Sequence, residues 1–175
     1  MKSNYNKYID IDSTYRDRSM FSNPMQFNVD LWDKSVDTSE MSNPRCFYIE
    51  LVHLILPNKT LTSGGTIADY PYVYVRLSSL NDLQTNILLS NNPNALLCNF
   101  KVPVDNVFTT VNTKWISLSS CNMIQTIFFK PESFSFSVFL PDGTLVKTTT
   151  NDAVEPTAPT ADLQVSATFR IILKY

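Results

Sequence analysis

The chain is poor in charge, glycine and histidine, and each shortage argues against a class of function. Charged residues make up 17% of the 175 residues, where about a quarter is usual. Three glycines cannot build a loop that cradles phosphate, and a single histidine, His53, cannot supply a metal site that needs several imidazoles. No Gly-x-Ser-x-Gly sequence presents a serine nucleophile to that histidine. We therefore expect a protein that is not an enzyme and that has no catalytic residues, metal or cofactor.

Long runs of one residue type are also missing. The chain has no Lys/Arg block, which argues against direct binding to nucleic acid. It has no stretch of about 18 apolar residues that could span a membrane, and its first residues lack the apolar segment of a secretory signal. Cys46, Cys98 and Cys121 are odd in number and lack metal-ligand spacing. We expect them to be buried thiols in a reducing compartment.

Alternation of apolar and polar residues is the dominant pattern. In the segment 133–140 serines alternate with large apolar residues, and the turn sequence Pro141-Asp142-Gly143 follows. Successive side chains of a strand point to opposite faces, so this segment is predicted to be a half-buried strand that ends in a hairpin turn. Phe139 breaks the alternation and puts one large aromatic ring on the serine face. We expect Phe139 to contact a neighbouring protein; the alternatives are ordinary exposure and packing in a core.

Similar patterns predict strands along most of the chain, and no amphipathic helix is evident. We predict an all-β fold: an antiparallel two-sheet sandwich, and specifically a single jelly roll of about eight strands. An immunoglobulin-like sandwich is the alternative, although the cysteines and tryptophans do not follow its order. Besides 133–140, the predicted strands are 25–31, 45–56, 70–77, 95–102, 108–111, 114–118, 124–130, 144–148 and 163–175.

The first 24 residues differ from this pattern. They mix aromatic and charged side chains and show no core-like period beyond Tyr8 to Asp12. Tyrosine and arginine are favoured at protein interfaces. We predict that residues 1–24 form an extended N-terminal arm and that residues 25–175 form the jelly-roll domain. The sequence leaves open whether the arm binds a partner or packs on its own domain.

The arm and the segment after it carry a distinctive order of short motifs. Residues 8–18 read YIDIDSTYRDR and residues 23–31 read NPMQFNVDL. This order resembles an IDS-x-YRD…NP-x-x-F-x-V-x-L opening of small capsid proteins of large DNA viruses. The later segments 54–58, 72–75, 91–94 and 139–143 agree with the resemblance in outline.

The resemblance implies a minor capsid or penton-type single jelly-roll protein of a nucleocytoplasmic large DNA virus. Such a protein is a structural component of the virion that cements or underlies major-capsid capsomers in an icosahedral shell, or that fills the five-fold vertices as a penton. Its partners would be the major capsid protein and other minor capsid proteins, with homo-oligomers left open. It would lie in the capsid of the virion and be assembled in the host cytoplasm.

Two further expectations concern particular residues. The residues predicted to lie at a protein interface are Ile9, Asp10, Ser13, Tyr15, Arg16 and Asp17 of the arm, together with Phe139. A function of a different class is a carbohydrate-binding β-sandwich module. In that case Tyr70, Tyr72 and Tyr74 would form a platform of rings.

Overall fold

The computed structural model is an all-β sandwich of two antiparallel sheets. It describes residues 5–30, 45–79, 91–93, 100–104, 115–118, 123–128 and 133–173. Within these ranges no helix has the length and apolar character that a membrane crossing requires. The strands are β1 (Tyr5–Asp12), β2 (Gln26–Asp30), β3 (Arg45–Pro57), β4 (Tyr72–Ser79), β5 (Phe100–Pro103), β6 (Trp115–Leu118), β7 (Met123–Phe128), β8 (Ser133–Phe139) and β9 (Ser166–Leu173).

The two sheets are built mainly from pairs that are distant in sequence. The first sheet has the order β1-β9-β3-β6, and β7 pairs with the part of β3 that precedes the β6 contact. The second sheet has the order β2-β8-β4-β5. Every pair is antiparallel. The predicted antiparallel sandwich is therefore confirmed.

A single core fills the space between the sheets. Where the structure describes their side chains, alternate residues of the strands point inward, as the two-residue period of a strand requires. These side chains are at most 8% exposed. The strand residues of the core, with Met25 just before β2, are Ile9, Ile11, Met25, Phe27, Ile49, Leu51, Leu54, Leu56, Val73, Val75, Leu77, Phe100, Val102, Ile116, Leu118, Phe134, Phe136, Val138, Ala167, Phe169 and Ile171.

The longest strand, β3, contains a bulge that places two leucines three positions apart on the same face. The pairing of β3 with β9 shifts register between Leu51 and His53. Because one extra residue is accommodated there, Leu51 and Leu54 both point into the core although three positions separate them. The same shift turns His53 to the outer face of the sheet, where its Nε2 lies 2.5 Å from Ser117 Oγ.

The predicted hairpin turn after β8 is present, but the strand predicted beyond it is not. Gly143 has a φ of 83°, and its N–H donates to the carbonyl of Leu140. The predicted strand 144–148 makes only single bridges, from Leu145 to Phe139 and from Thr148 to Leu61. The predicted strand 108–111 lies outside the described residues.

The predicted boundary at residue 24 has no counterpart in the structure. Residues 5–12 form β1, which pairs along its whole length with β9, from Tyr5–Leu173 to Asp12–Ser166. Ile9 and Ile11, which alternate with Asp10 and Asp12, point into the core. The segment is therefore a strand of the sandwich, and the prediction of an extended arm is wrong for these residues.

Candidate protein-interaction surface

Two loops lie together at one end of the sandwich. The 13–24 loop joins β1 to β2, and the 151–164 loop leads into β9. They meet because Asp12, the last residue of β1, pairs with Ser166, the first residue of β9. Arg16 and Arg18 of the first loop then bond directly to the second loop.

Arg16 is the centre of this contact. Its side chain is fully buried and forms an ion pair with Asp152, with Nη2 2.6 Å from Oδ2. Arg16 also donates to the carbonyls of Ser13 and Phe21 and to Oε1 of Gln164. A buried guanidinium is stable only when its donors are paired, so these bonds hold the 13–24 loop in one conformation.

Gln164 and Ser13 complete the network. Gln164 Oε1 accepts from Ser13 Oγ at 2.9 Å and from Arg16 at 2.8 Å. Gln164 Nε2 donates to Asp152 and to the carbonyl of Thr160. Ser13 Oγ in turn accepts from the N–H of Val165 at 2.7 Å. Because each member is fixed by several others, the two loops are joined rigidly.

The network changes the acidity of Asp152. Burial raises the pKa of this carboxyl, but the hydrogen bonds from Gln164, Thr160, Arg16 and Ala153 together outweigh burial and lower the pKa from 3.8 to about 2. A carboxylate with a depressed pKa stabilises the fold only while it is ionised. Its contribution is complete above about pH 4 and disappears as the pH falls towards 2.

We therefore expect acid to remove stability at Asp152. At about 1.4 kcal/mol per pKa unit, the shift corresponds to roughly 2 kcal/mol of unfolding free energy lost between pH 4 and pH 2. The measurement is urea unfolding at several pH values for the native chain and for Asp152→Asn. The variant should be less stable at pH 7 and should lose less stability on acidification. Parallel pH curves for the two proteins would contradict this assignment.

The loops expose large apolar side chains while their backbone is held in place. Tyr15 is 88% exposed, Met20 is 74% exposed and Val154 is 79% exposed. We call these three residues the tip surface. Asp17 fixes the backbone beneath Met20, because its Oδ1 accepts from the N–H groups of Ser19 and Met20. The bond from the Ser19 hydroxyl, followed by that from Met20, also lowers the pKa of Asp17.

The structure divides the interface residues predicted in the first segment into two groups. Tyr15, Asp17 and Asp10 are exposed, and Asp10 accepts from Thr168 Oγ1 on the outer sheet face. Ile9, Ser13 and Arg16 are buried, so the prediction that they contact a partner is corrected. Ile9 belongs to the core, and the other two belong to the network that joins the loops.

The sequence did not indicate Met20 or Val154 as surface contacts. Each is a single apolar residue in a polar loop, which carries no periodic signal. Asp152 and Gln164 were also missed, because they lie 136 and 148 residues from Arg16 in the chain. The Arg16 ion pair can be found only in the folded structure.

Phe139 has less freedom than its sequence position predicts. It is half-buried on the outer face of the second sheet, where it packs against Tyr74. Tyr74 is 2% exposed and lies edge-on to Tyr72, with ring centroids 5.2 Å apart. The tyrosines predicted as a carbohydrate platform therefore do not form one flat exposed surface, and Tyr70 packs against the main core.

The part of the chain that the structure describes contains no group of three or more His, Cys, Asp or Glu side chains that could hold a metal ion. Cys98 and Cys121 lie outside that part. The His53–Ser117 contact is exposed on a sheet surface. A serine nucleophile needs a third group that orients the histidine. It also needs hydrogen-bond donors that stabilise the oxyanion formed during the reaction.

Comparison with known proteins gives two relatives and no matching family model. The chain is 31% identical over 126 residues to uncharacterized protein 069L of Invertebrate iridescent virus 3, a match that covers 71% of this chain and 30% of the relative. It is 28% identical over 123 residues to uncharacterized protein 198R of Invertebrate iridescent virus 6, covering 69% and 26%. The chain thus spans less than a third of the length of these relatives. Both come from large DNA viruses, which supports a viral origin for the chain.

Proposed function

We propose that this chain is a structural virion protein, a minor capsid component that cements or underlies major-capsid capsomers in an icosahedral shell. The observation that carries the proposal is the tip surface, in which apolar side chains are held out in solvent on loops that a buried ion pair fixes. The similarity to proteins of two large DNA viruses supports it. The partners in this proposal are the major capsid protein and other minor capsid proteins.

The tip surface suits a contact that forms repeatedly in one geometry. Aromatic residues and methionine are enriched at the centres of protein interfaces, and Tyr15 and Met20 are of these types. Because the Arg16 network has already ordered the backbone, binding would cost little further conformational entropy. A flexible loop with the same side chains would bind more weakly.

The strand pairs support a single jelly roll as the finer description of the fold. A jelly roll is a long antiparallel hairpin wrapped into two sheets, so its first strand pairs with its last and successive pairs follow inward. The ladders β1–β9, β2–β8 and β4–β5 follow this scheme. The remaining pair of the scheme contains β3. The first part of β3 pairs with β7 and its last part pairs with β6.

The proposal is tested by removing the tip surface without changing the fold. We expect the double variant Tyr15→Ser and Met20→Ser to reduce incorporation of the tagged chain into purified virus particles at least tenfold. Its melting temperature should stay within a few degrees of the native value, because substitutions at exposed positions usually change stability by about 0.5 kcal/mol or less. Tyr8→Ser is the matched control, since Tyr8 is 58% exposed on the sheet face rather than on the loops.

Two results would count against the capsid role. One is normal incorporation of the double variant, which would show that the tip surface does not form the contact with the capsid. The other is absence of the native chain from particles whose major capsid protein is abundant. A pentamer recovered from particle vertices would instead favour the penton alternative.

A further inference from the structure

A groove of about 490 Å³ crosses the outer face of the first sheet. Its lining includes Ile55 of β3, Ser166 of β9 and Trp115 of β6. Trp115 is 42% exposed, which is high for so large an apolar side chain in a regular strand. Pro159 and Ala161, from the loop that leads into β9, also line the groove.

The part of the lining that the 151–164 loop contributes is held in place by hydrogen bonds and an ion pair. The N–H of Thr160 donates to Asp152 Oδ1 at 2.7 Å, and the carbonyl of Thr160 accepts from Gln164 at 2.9 Å. Asp162 forms an ion pair with Lys59. The groove therefore exists before any ligand binds, which reduces the entropic cost of binding.

Among the described residues that line the groove, Asp12 is the charged one, through its carboxylate. Asp12 is exposed, and its Oδ1 accepts from the N–H of Thr14. Asp10, the preceding outward residue of β1, adds a second negative charge on the same face. An apolar groove with an acidic end is complementary to a ligand that combines a bulky apolar group with a cation.

We propose that this groove binds an extended peptide segment of a partner protein, in which a bulky apolar residue lies next to a lysine or arginine. The apolar side chain packs against the apolar lining residues, Trp115 and Pro159 among them, and the cation pairs with Asp12. The hydroxyls of Thr14 and Ser166, both in the groove lining, bond to the peptide backbone. This site is separate from the tip surface, so its failure would leave the proposed capsid role unaffected.

A sugar fits this groove less well than a peptide. Sugar sites surround a ring with several polar side chains whose donors and acceptors point into the site. Gln164, the amide side chain among the described lining residues, already bonds to Ser13, Arg16, Asp152 and Thr160. Most of the remaining lining is apolar, which matches the anchor residue of a peptide.

The test uses a phage-displayed library of random twelve-residue peptides, selected on the purified native chain. We expect enriched peptides to carry a bulky apolar residue beside Lys or Arg. A labelled synthetic copy of an enriched peptide should bind at least tenfold more weakly to Trp115→Ser and about threefold to tenfold more weakly to Asp12→Asn. Added salt should weaken binding to the native chain more than binding to Asp12→Asn.

Two further variants keep the result interpretable. Tyr8→Ser, which removes an exposed aromatic outside the groove lining, should bind the peptide as the native chain does. Asp12→Lys should shift the selection towards peptides with Asp or Glu, a gain that a misfolded protein would not show. Asp12→Asn keeps an acceptor for the Thr14 N–H, so the strand end should stay intact.

Several results would overturn the proposal. These are a lack of enrichment on the native chain, enriched peptides whose binding does not depend on Trp115, and an unchanged selection by Asp12→Lys. Binding to a glycan array that Trp115→Ser abolishes, without peptide binding, would assign the groove to carbohydrate. Self-association that requires Trp115, again without peptide binding, would assign it to a second copy of the chain.

Discussion

Arg16→Met should lower the free energy of unfolding by about 3–5 kcal/mol, because removing one partner of a buried ion pair leaves the other charge buried and unpaired. In this variant the unpaired charge is the carboxylate of Asp152, whose side chain is 2% exposed. The carbonyls of Ser13 and Phe21 lose a donor at the same time. Equilibrium unfolding in urea, followed by tryptophan fluorescence, measures the loss.

Two control variants separate the ion pair from a general effect of losing arginine. Arg18→Met removes a guanidinium that is 3.7 Å from the half-exposed Glu155 and donates to the Ala153 carbonyl, and we expect a loss of about 1–2 kcal/mol. Arg16→Met combined with Asp152→Leu should be less destabilising than Arg16→Met alone, because no buried charge is left. Equal losses for Arg16→Met and Arg18→Met would show that the buried pair does not hold the loops.

Phe169→Ala should cost about 3–5 kcal/mol, the usual cost of truncating a phenylalanine in a tightly packed core. Phe169 is 1% exposed and lies in β9, between β1 and β3. Its ring faces Phe100 of the other sheet, with centroids 5.9 Å apart. The cavity would thus lie between the two sheets, where surrounding strands cannot easily collapse. Urea unfolding again provides the measurement.

Phe139→Ala is the matched control for this core substitution. Its ring is half-buried in the outer cluster with Tyr74, so we expect a loss of about 1 kcal/mol. A loss equal to that of Phe169→Ala would mean that the outer cluster contributes as much stability as the main core. That outcome would also show that the Phe139 ring is not freely available to contact a partner protein.

The strands with regular alternation could be predicted from the sequence because their pattern is local. In β8, for example, Phe134, Phe136 and Val138 face the core. β1 was not predicted as part of the sandwich, since the core residues described in it are Ile9 and Ile11 and its pairing depends on a partner at the far end of the chain. The bulge in β3 was also beyond prediction, because it is defined by its register against β9.

The candidate surface was only partly predictable for the same reason. Composition identified Tyr15 and Arg16 as residue types that favour interfaces, and Tyr15 is exposed. Composition could not distinguish it from Arg16, which is buried because Asp152 and Gln164 surround it. Whether a polar side chain faces solvent or joins a network depends on residues that only the folded chain brings together.

The pairing of β1 with β9 also affects the order in which the domain can fold. The first strand of the described chain has the last strand as its neighbour, with Tyr5 opposite Leu173. On a ribosome β1 is made before β9, so the ladder between them cannot form until synthesis reaches β9. Contacts this distant in sequence close late and slow folding. Until then the inward residues Ile9 and Ile11 lack their place in the core, and a chain with exposed strands is prone to aggregate.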